Sequence, residues 1–165
     1  MLRKKELLLL SCLRQHGRMS LTQASKRTRI PISTLFEKLK RYNKEFIRRS
    51  TVLLNFEALG YGTRASIFLR TTKNYRDSLE QTLMDDESIN TVFKITNGWD
   101  FQIEGIFRNL QELQNFLERL EEAYPLEKQI HFILSDLKKE EFLISSDKTG
   151  KLEAPELEEH PDTFK

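Results

Sequence analysis

The sequence predicts an α+β protein, helical over its first fifty residues and sheet-bearing beyond them. Three observations predict it: a charge division along the chain, apolar residues at helical spacing in the first part, and alternating strands and helices in the second. Residues 1–50 carry fourteen Lys/Arg against three Asp/Glu, a net +11, whereas residues 51–165 carry thirteen against twenty-two, a net −9. The overall +2 hides that split. Such asymmetry points to two units with different electrostatic tasks, and a compact basic unit is the footprint of a protein that grips phosphates.

Leu7, Leu9, Leu10 and Leu13 recur at helical spacing, and His16-Gly17 closes that helix because glycine leaves the helical backbone most easily. Ser20 is placed to cap a second helix from Leu21 to about Thr28, its hydroxyl accepting an orphan backbone N–H. Arg29-Ile30-Pro31 breaks the pattern, and a third helix begins near Pro31 or Ile32, since proline suits a helix's first turn only. Ile32, Leu35, Leu39, Tyr42 and Phe46 then share one face, and Ser33, Glu37, Lys40, Arg41 and Lys44 the other. Three short helices with a tight turn between the second and third form a helix-turn-helix unit, whose third helix enters the DNA major groove. The candidate DNA contacts are Arg18, Ser20, Thr22 and Arg29, then Ser33, Thr34, Glu37, Lys38, Lys40 and Arg41 on the third helix. Hydroxyls and cations suit phosphates or guanine edges, and Glu37 can accept from a cytosine amine. A small bundle with a merely solvated cationic face is the plainer reading of the same residues.

Residues 51–62 form a linker, ending in Leu59-Gly60-Tyr61-Gly62, where two glycines let the chain turn. Ala65, Ile67 and Leu69 then alternate with Ser66, Phe68 and Arg70 as a strand does. Tyr75, Leu79 and Leu83 give a helix, Thr91 to Ile95 a strand, and Asn97-Gly98 is a two-residue hairpin signal. Phe101, Ile103, Gly105 and Phe107 make the next strand, and Leu110, Leu113, Phe116, Leu117 and Leu120 an amphipathic helix. A last strand covers about Gln129 to Ser135, with a further one through Phe142 to Ile144 left open. The order β-α-β-β-α-β is the ferredoxin-like split motif. The expected layout is an N-terminal winged helix-turn-helix in residues 1–50 and a ferredoxin-like oligomerisation and effector domain in residues 63–144. Residues 145–165, without period and rich in Ser, Glu and Pro, read as a mobile acidic tail. Phe68, Ile106 and Ile133 are candidates for the sheet face that no helix covers, and a second copy of the chain is its simplest partner.

Several classes are excluded. No apolar run approaches the roughly 18–20 residues of a membrane span. Lys4-Lys5 followed by Leu7–Leu10 is too short for a secretory leader and lacks a small-residue cleavage site. The single cysteine, Cys12, forbids an intrachain disulfide and fits a reducing cytoplasm. Cys12 and His16 have no second pair to complete a metal site, and His131 has no nucleophile placed beside it by sequence. Asp85-Asp86-Glu87 lacks the spaced oxygens of a cation loop. No catalytic, metal or cofactor site is expected.

With these residues set out, residues 5–144 resemble the Lrp/AsnC family of bacterial and archaeal transcription regulators. The resemblance rests on Leu9-Leu10-x-x-Leu13, Gly17-Arg18-Met19-Ser20, and Ser33-Thr34-Leu35 leading to Leu39 and Ile47. It continues in Leu59-Gly60-Tyr61, and Thr96-Asn97-Gly98-Trp99-Asp100-Phe101 is similar to the family's Thr-Gly-x-aromatic-Asp-aromatic hairpin. It implies double-stranded DNA with palindromic operators, and a homodimer built through the C-terminal sheets that often assembles further. It also implies an amino-acid or similar small effector near the hairpin, carried over to Asn97, Gly98, Trp99 and Asp100. The chain departs from the pattern in Asn97, which stands at the family's glycine with Gly98 one place later. Arg29 and Pro31 replace glycine and serine, and Phe46 stands where glycine often ends the recognition helix. Trp99 and Asp100 line an effector pocket in one reading; in the other, Trp99 packs under the hairpin and Asp100 bonds its backbone. Siroheme decarboxylases share the two-domain plan and are similar in Arg48-Arg49, but the hairpin lacks their histidine and tyrosine. A non-DNA-binding partner subunit of a hetero-oligomer is the third class. The leading expectation is a cytoplasmic, sequence-specific DNA-binding transcription regulator, not an enzyme.

Overall fold

The computed structural model describes residues 3–143, so the expected tail at 145–165, and Ile144 before it, lie outside the described residues. The chain divides into two compact units, one of residues up to Leu53 together with those from Lys138, the other Leu54–Leu137.

The first unit contains α1 (Lys4–Gln15), α2 (Leu21–Thr28) and α3 (Ile32–Glu45). Ser20 caps α2 reciprocally: its hydroxyl accepts from the Gln23 amide at 3.2 Å while the Gln23 side chain accepts the Ser20 N–H at 3.0 Å. Arg29 ends α2 in the left-handed conformation, φ 54° and ψ 37°, the reversal that aims α3 away from α2. Leu9, Ala24, Ile30, Leu35 and Tyr42 form the core, and Leu10, Leu13, Met19, Leu21, Leu39 and Ile47 pack around it. The apolar face expected on α3 is buried only at its middle: Leu35 and Tyr42 are fully enclosed, whereas Ile32 and Phe46 stand about half exposed. Two short helices cannot cover the full length of a third.

The expected wing is not found. Among the described residues no strand lies between Glu45 and Thr63, and a single 3₁₀ turn at Glu57–Leu59 is the regular structure there. The backbone of residues 48–55 finds no backbone hydrogen-bond partner among the described residues, and Val52, Leu53 and Leu54 are exposed. A wing needs a paired strand, and this apolar run has no strand partner among the described residues.

The second unit runs β1 (Thr63–Thr71), α4 (Arg76–Asp85), β2 (Ile89–Lys94), β3 (Phe101–Phe107), α5 (Leu110–Ala123) and β4 (Leu126–Phe132). The strands make one antiparallel sheet in the order β2-β3-β1-β4, with Ile67 opposite both Ile103 and Ile130. This is the ferredoxin-like βαββαβ arrangement the sequence predicts. Ala65, Ile67, Leu69, Phe101, Ile103 and Phe107 meet Leu79 and Leu83 of α4 and Leu113, Phe116, Leu117 and Leu120 of α5. Gly105 is required in β3, because a Cβ there would stand 2.5 Å from the buried Phe107 ring, itself packed on Phe116 at 5.5 Å between ring centres.

Three boundaries differ from expectation. The last strand begins at Leu126, opposite Thr71, and ends at Phe132, three residues earlier than predicted, and Leu134 is 95% exposed. Its helix-facing positions are Leu126, Lys128 and Ile130, and Lys128, paired with Glu121 of α5, masks the apolar alternation. The hairpin between β2 and β3 spans six residues, 95–100, closed by the Ile95 N–H on the Asp100 carbonyl at 3.0 Å. Asn97 (φ 63°) and Gly98 (φ 96°) both take the left-handed backbone that turn chemistry demands of them. Phe142 and Leu143 lie in a turn rather than a strand, with Leu143 at φ 69°.

Candidate nucleic-acid interface

With about 3.6 residues per turn, the side of α3 opposite Leu35 and Tyr42 is centred on Ser33, Glu37, Lys40 and Lys44. Thr34 and Arg41 flank it on one side and Phe36 on the other, and all seven residues are exposed. Lys40, Lys44, Arg18 and Arg29 make no ion pair among the described residues. Glu37 is likewise unpaired there, a carboxylate set among cations. Thr22 is exposed on α2, and the Ser20 hydroxyl is engaged in the cap. Pro31 stands at the N-cap of α3 and offers no side-chain hydrogen bond, so the first N–H groups of α3 lack a cap.

Two of the predicted cations answer to a residue the sequence reading passed over. Glu6 of α1 is buried, accepts the Arg3 N–H at 2.8 Å, and takes the Lys38 ammonium in a direct hydrogen bond. The Arg41 guanidinium lies 3.6 Å from the same carboxylate, 3.4 Å from Glu45 and 5.3 Å over the Tyr42 ring. The Lys38 hydrogen bond, with the Arg3 amide second, holds the Glu6 carboxyl down at about 2. Burial, and then the Glu6 carboxylate, pushes the Tyr42 phenol up to about 12. Lys38 is therefore committed inside the unit, while Arg41 is anchored with half its side chain in water. A lone acid in a leucine-rich first helix is the only sequence signal that marks Glu6.

Arg29 holds a conformation that costs a non-glycine residue about 1–2 kcal/mol. Arg29→Gly is expected to raise stability by about 0.5–1 kcal/mol in urea unfolding, net of glycine's larger unfolded-state entropy, while weakening DNA binding through loss of a cation. A stability loss, or DNA affinity left unchanged, would count against this account of why an arginine is kept there.

In the second unit, the Asp100 carboxylate accepts the Thr71 N–H at 2.9 Å and pairs with Arg76 at 2.8 Å, and the Asp100 N–H donates to the Leu69 carbonyl. Trp99 lies beside Phe68, 6.1 Å between ring centres, and His131 meets the other side of Phe68 at 5.7 Å. Asn97 and Gly98 form the exposed tip. The strand register puts Phe93, Gln102, Phe68 and Gln129 in one row on the face away from the helices, and Thr91, Glu104, Ser66 and His131 in the next. Ile106 lies on that face but is already covered by its own chain. Among the described residues, no cluster of three His, Cys, Asp or Glu is placed to hold a metal, and no helix is long and apolar enough to cross a membrane.

A tri-helical unit with an uncovered cationic face on its third helix, joined to a ferredoxin-like sheet, is the layout of a helix-turn-helix protein with a separate C-terminal domain. No family model matches the chain. The HTH-type transcriptional regulator FL11 of Pyrococcus furiosus is 29% identical over 111 residues, 67% of this chain and 74% of that protein. An uncharacterized HTH-type transcriptional regulator of the same organism is 24% identical over 135 residues, 81% of this chain and 91% of its own length. Among solved structures, the L-Met complex of a transcriptional regulator from Neisseria meningitidis superimposes with a TM-score of 0.76 at 22% identity, covering 84% of this chain and 94% of that one. Bacillus subtilis LrpC gives 0.77 at 13% identity, covering 84% and 99%. The fold is that of these two structures, and the sequence relatives are helix-turn-helix transcriptional regulators.

Proposed function

We propose that the protein binds double-stranded operator DNA sequence-specifically in the cytoplasm, as a dimer, with α3 in the major groove and the sheet face around Phe68 joining the two copies. The observation that carries this reading is the uncovered face of α3, where Ser33, Glu37, Lys40 and Lys44 are exposed, with the half-exposed Arg41 at its flank, within a segment of net charge +11. Exposed Phe93, in the same row of the sheet as half-buried Phe68 with its neighbour Trp99, supports the dimer, since a monomer leaves such a surface wet. An amino-acid-like effector near Asn97–Asp100 is supported by the L-Met bound in the Neisseria regulator. Siroheme chemistry is set aside, because the relatives are regulators and the hairpin bears Trp99 and Asp100.

Selection from a random DNA pool tests the reading. Enriched sequences should be palindromic, with half-sites one or more helical turns apart. Lys40→Ala should weaken binding to all sequences alike and reduce the slope of log affinity against log salt by about one. A pool with nothing enriched would defeat the proposal.

A further inference from the structure

We propose that Phe36 reads a thymine: its ring packs against the 5-methyl group of one thymine in each operator half-site. This rests on α3 being the recognition helix and goes beyond it in assigning a base-reading residue. Phe36 is 59% exposed in the second turn of α3, and Ile32, one turn earlier on the same flank, is 46% exposed. Neither belongs to the core of the helical unit, which is complete with Leu9, Ala24, Ile30, Leu35 and Tyr42. The ring therefore contributes little to folding, yet stands in water beside Ser33 and Lys40.

Its surroundings select the occupant. A phosphate gains nothing from a phenyl ring, so Phe36 adds nothing to sequence-independent grip. A protein partner would have to bury Lys40 and Lys44 beside the ring, and a second copy would bring another +11 segment against this one. Duplex DNA satisfies both the charge and the ring, because the thymine methyl is the apolar feature of the major groove and the N-terminal half of a recognition helix reaches base edges. Glu37, the next residue, is placed to accept from a cytosine amine on a neighbouring pair.

The test uses the full-length protein and the operator selected from the pool. Each thymine is replaced in turn by deoxyuridine, which lacks only the methyl group. Wild type should lose roughly 4- to 10-fold in affinity at one symmetric pair of positions. Phe36→Ala should bind the thymine operator more weakly and be indifferent to that replacement, Phe36→Leu should recover part of the sensitivity, and the thermal midpoint should not fall. Equal methyl sensitivity in Phe36→Ala and wild type would overturn the proposal, as would a change in assembly mass in place of a change in base preference. A pool with no enriched sequence defeats the DNA reading and this one together; an enriched operator blind to every thymine methyl defeats this one alone.

Discussion

Phe68→Asp is expected to halve the mass of the protein in solution and to weaken binding to a two-half-site operator by about 100-fold or more. Phe68 lies on β1, an inner strand of the sheet, between Trp99 and His131 and in register with Gln102 and Gln129. A carboxylate there leaves the helix-side core untouched, because Ala65, Ile67 and Leu69 point the other way. In the proposed dimer it would be buried without a partner, which costs several kcal/mol. The other charges on this face are already neutralised. Arg64 donates to Asp136 at 2.9 and 3.0 Å and to Glu104 at 2.7 Å, so no free guanidinium waits to receive the new acid. Loss of pairing makes the second half-site contact a separate bimolecular event, and tethered binding is commonly worth 10²- to 10⁴-fold. Sedimentation and fluorescence anisotropy at fixed salt read both effects. A variant that keeps its mass would show that the copies meet elsewhere.

How much of this was legible in the sequence depends on the range of each interaction. β1, β3 and α5 were readable because nothing interrupts their apolar period: Ala65-x-Ile67-x-Leu69 and Phe101-x-Ile103-x-Gly105 alternate cleanly. β4 was displaced because Lys128 occupies a helix-facing position that only its partner Glu121, on another element, explains. The turn residues Asn97 and Gly98 were recognised from their tolerance of positive φ, but the width of the hairpin was not. That width is set from outside, by Asp100 bonded to Thr71 and Leu69 of β1. On α3 the exposed face followed from spacing alone. The commitment of Lys38 did not, since its partner Glu6 is 32 residues away and only folding brings them together. Phe36 was overlooked because an aromatic on the rim of a polar face looks, by type, like core.

Lys38→Met, finally, is expected to cost the helical unit about 2–3 kcal/mol at pH 7 while leaving the salt slope of DNA binding nearly unchanged. Removing one partner of a buried pair leaves the other charge uncompensated, typically at about 3–5 kcal/mol. Here the Arg3 amide at 2.8 Å and Arg41 at 3.6 Å offset part of that loss. The pH dependence carries the sign of a depressed acid. Glu6 titrates at about 2 in the folded unit against 4.5 for a free carboxyl, so its contribution is complete above the unfolded value and is lost as pH falls from about 5 towards 2. Urea unfolding at pH 7 and pH 3 should therefore show the gap between wild type and Lys38→Met narrowing in acid. Lys40→Ala should do the reverse at neutral pH, moving DNA affinity and sparing stability. If Lys38→Met were as stable as wild type and cut the salt slope by about one, Lys38 would be a phosphate contact, and its bond to Glu6 would not be what holds α3 against α1.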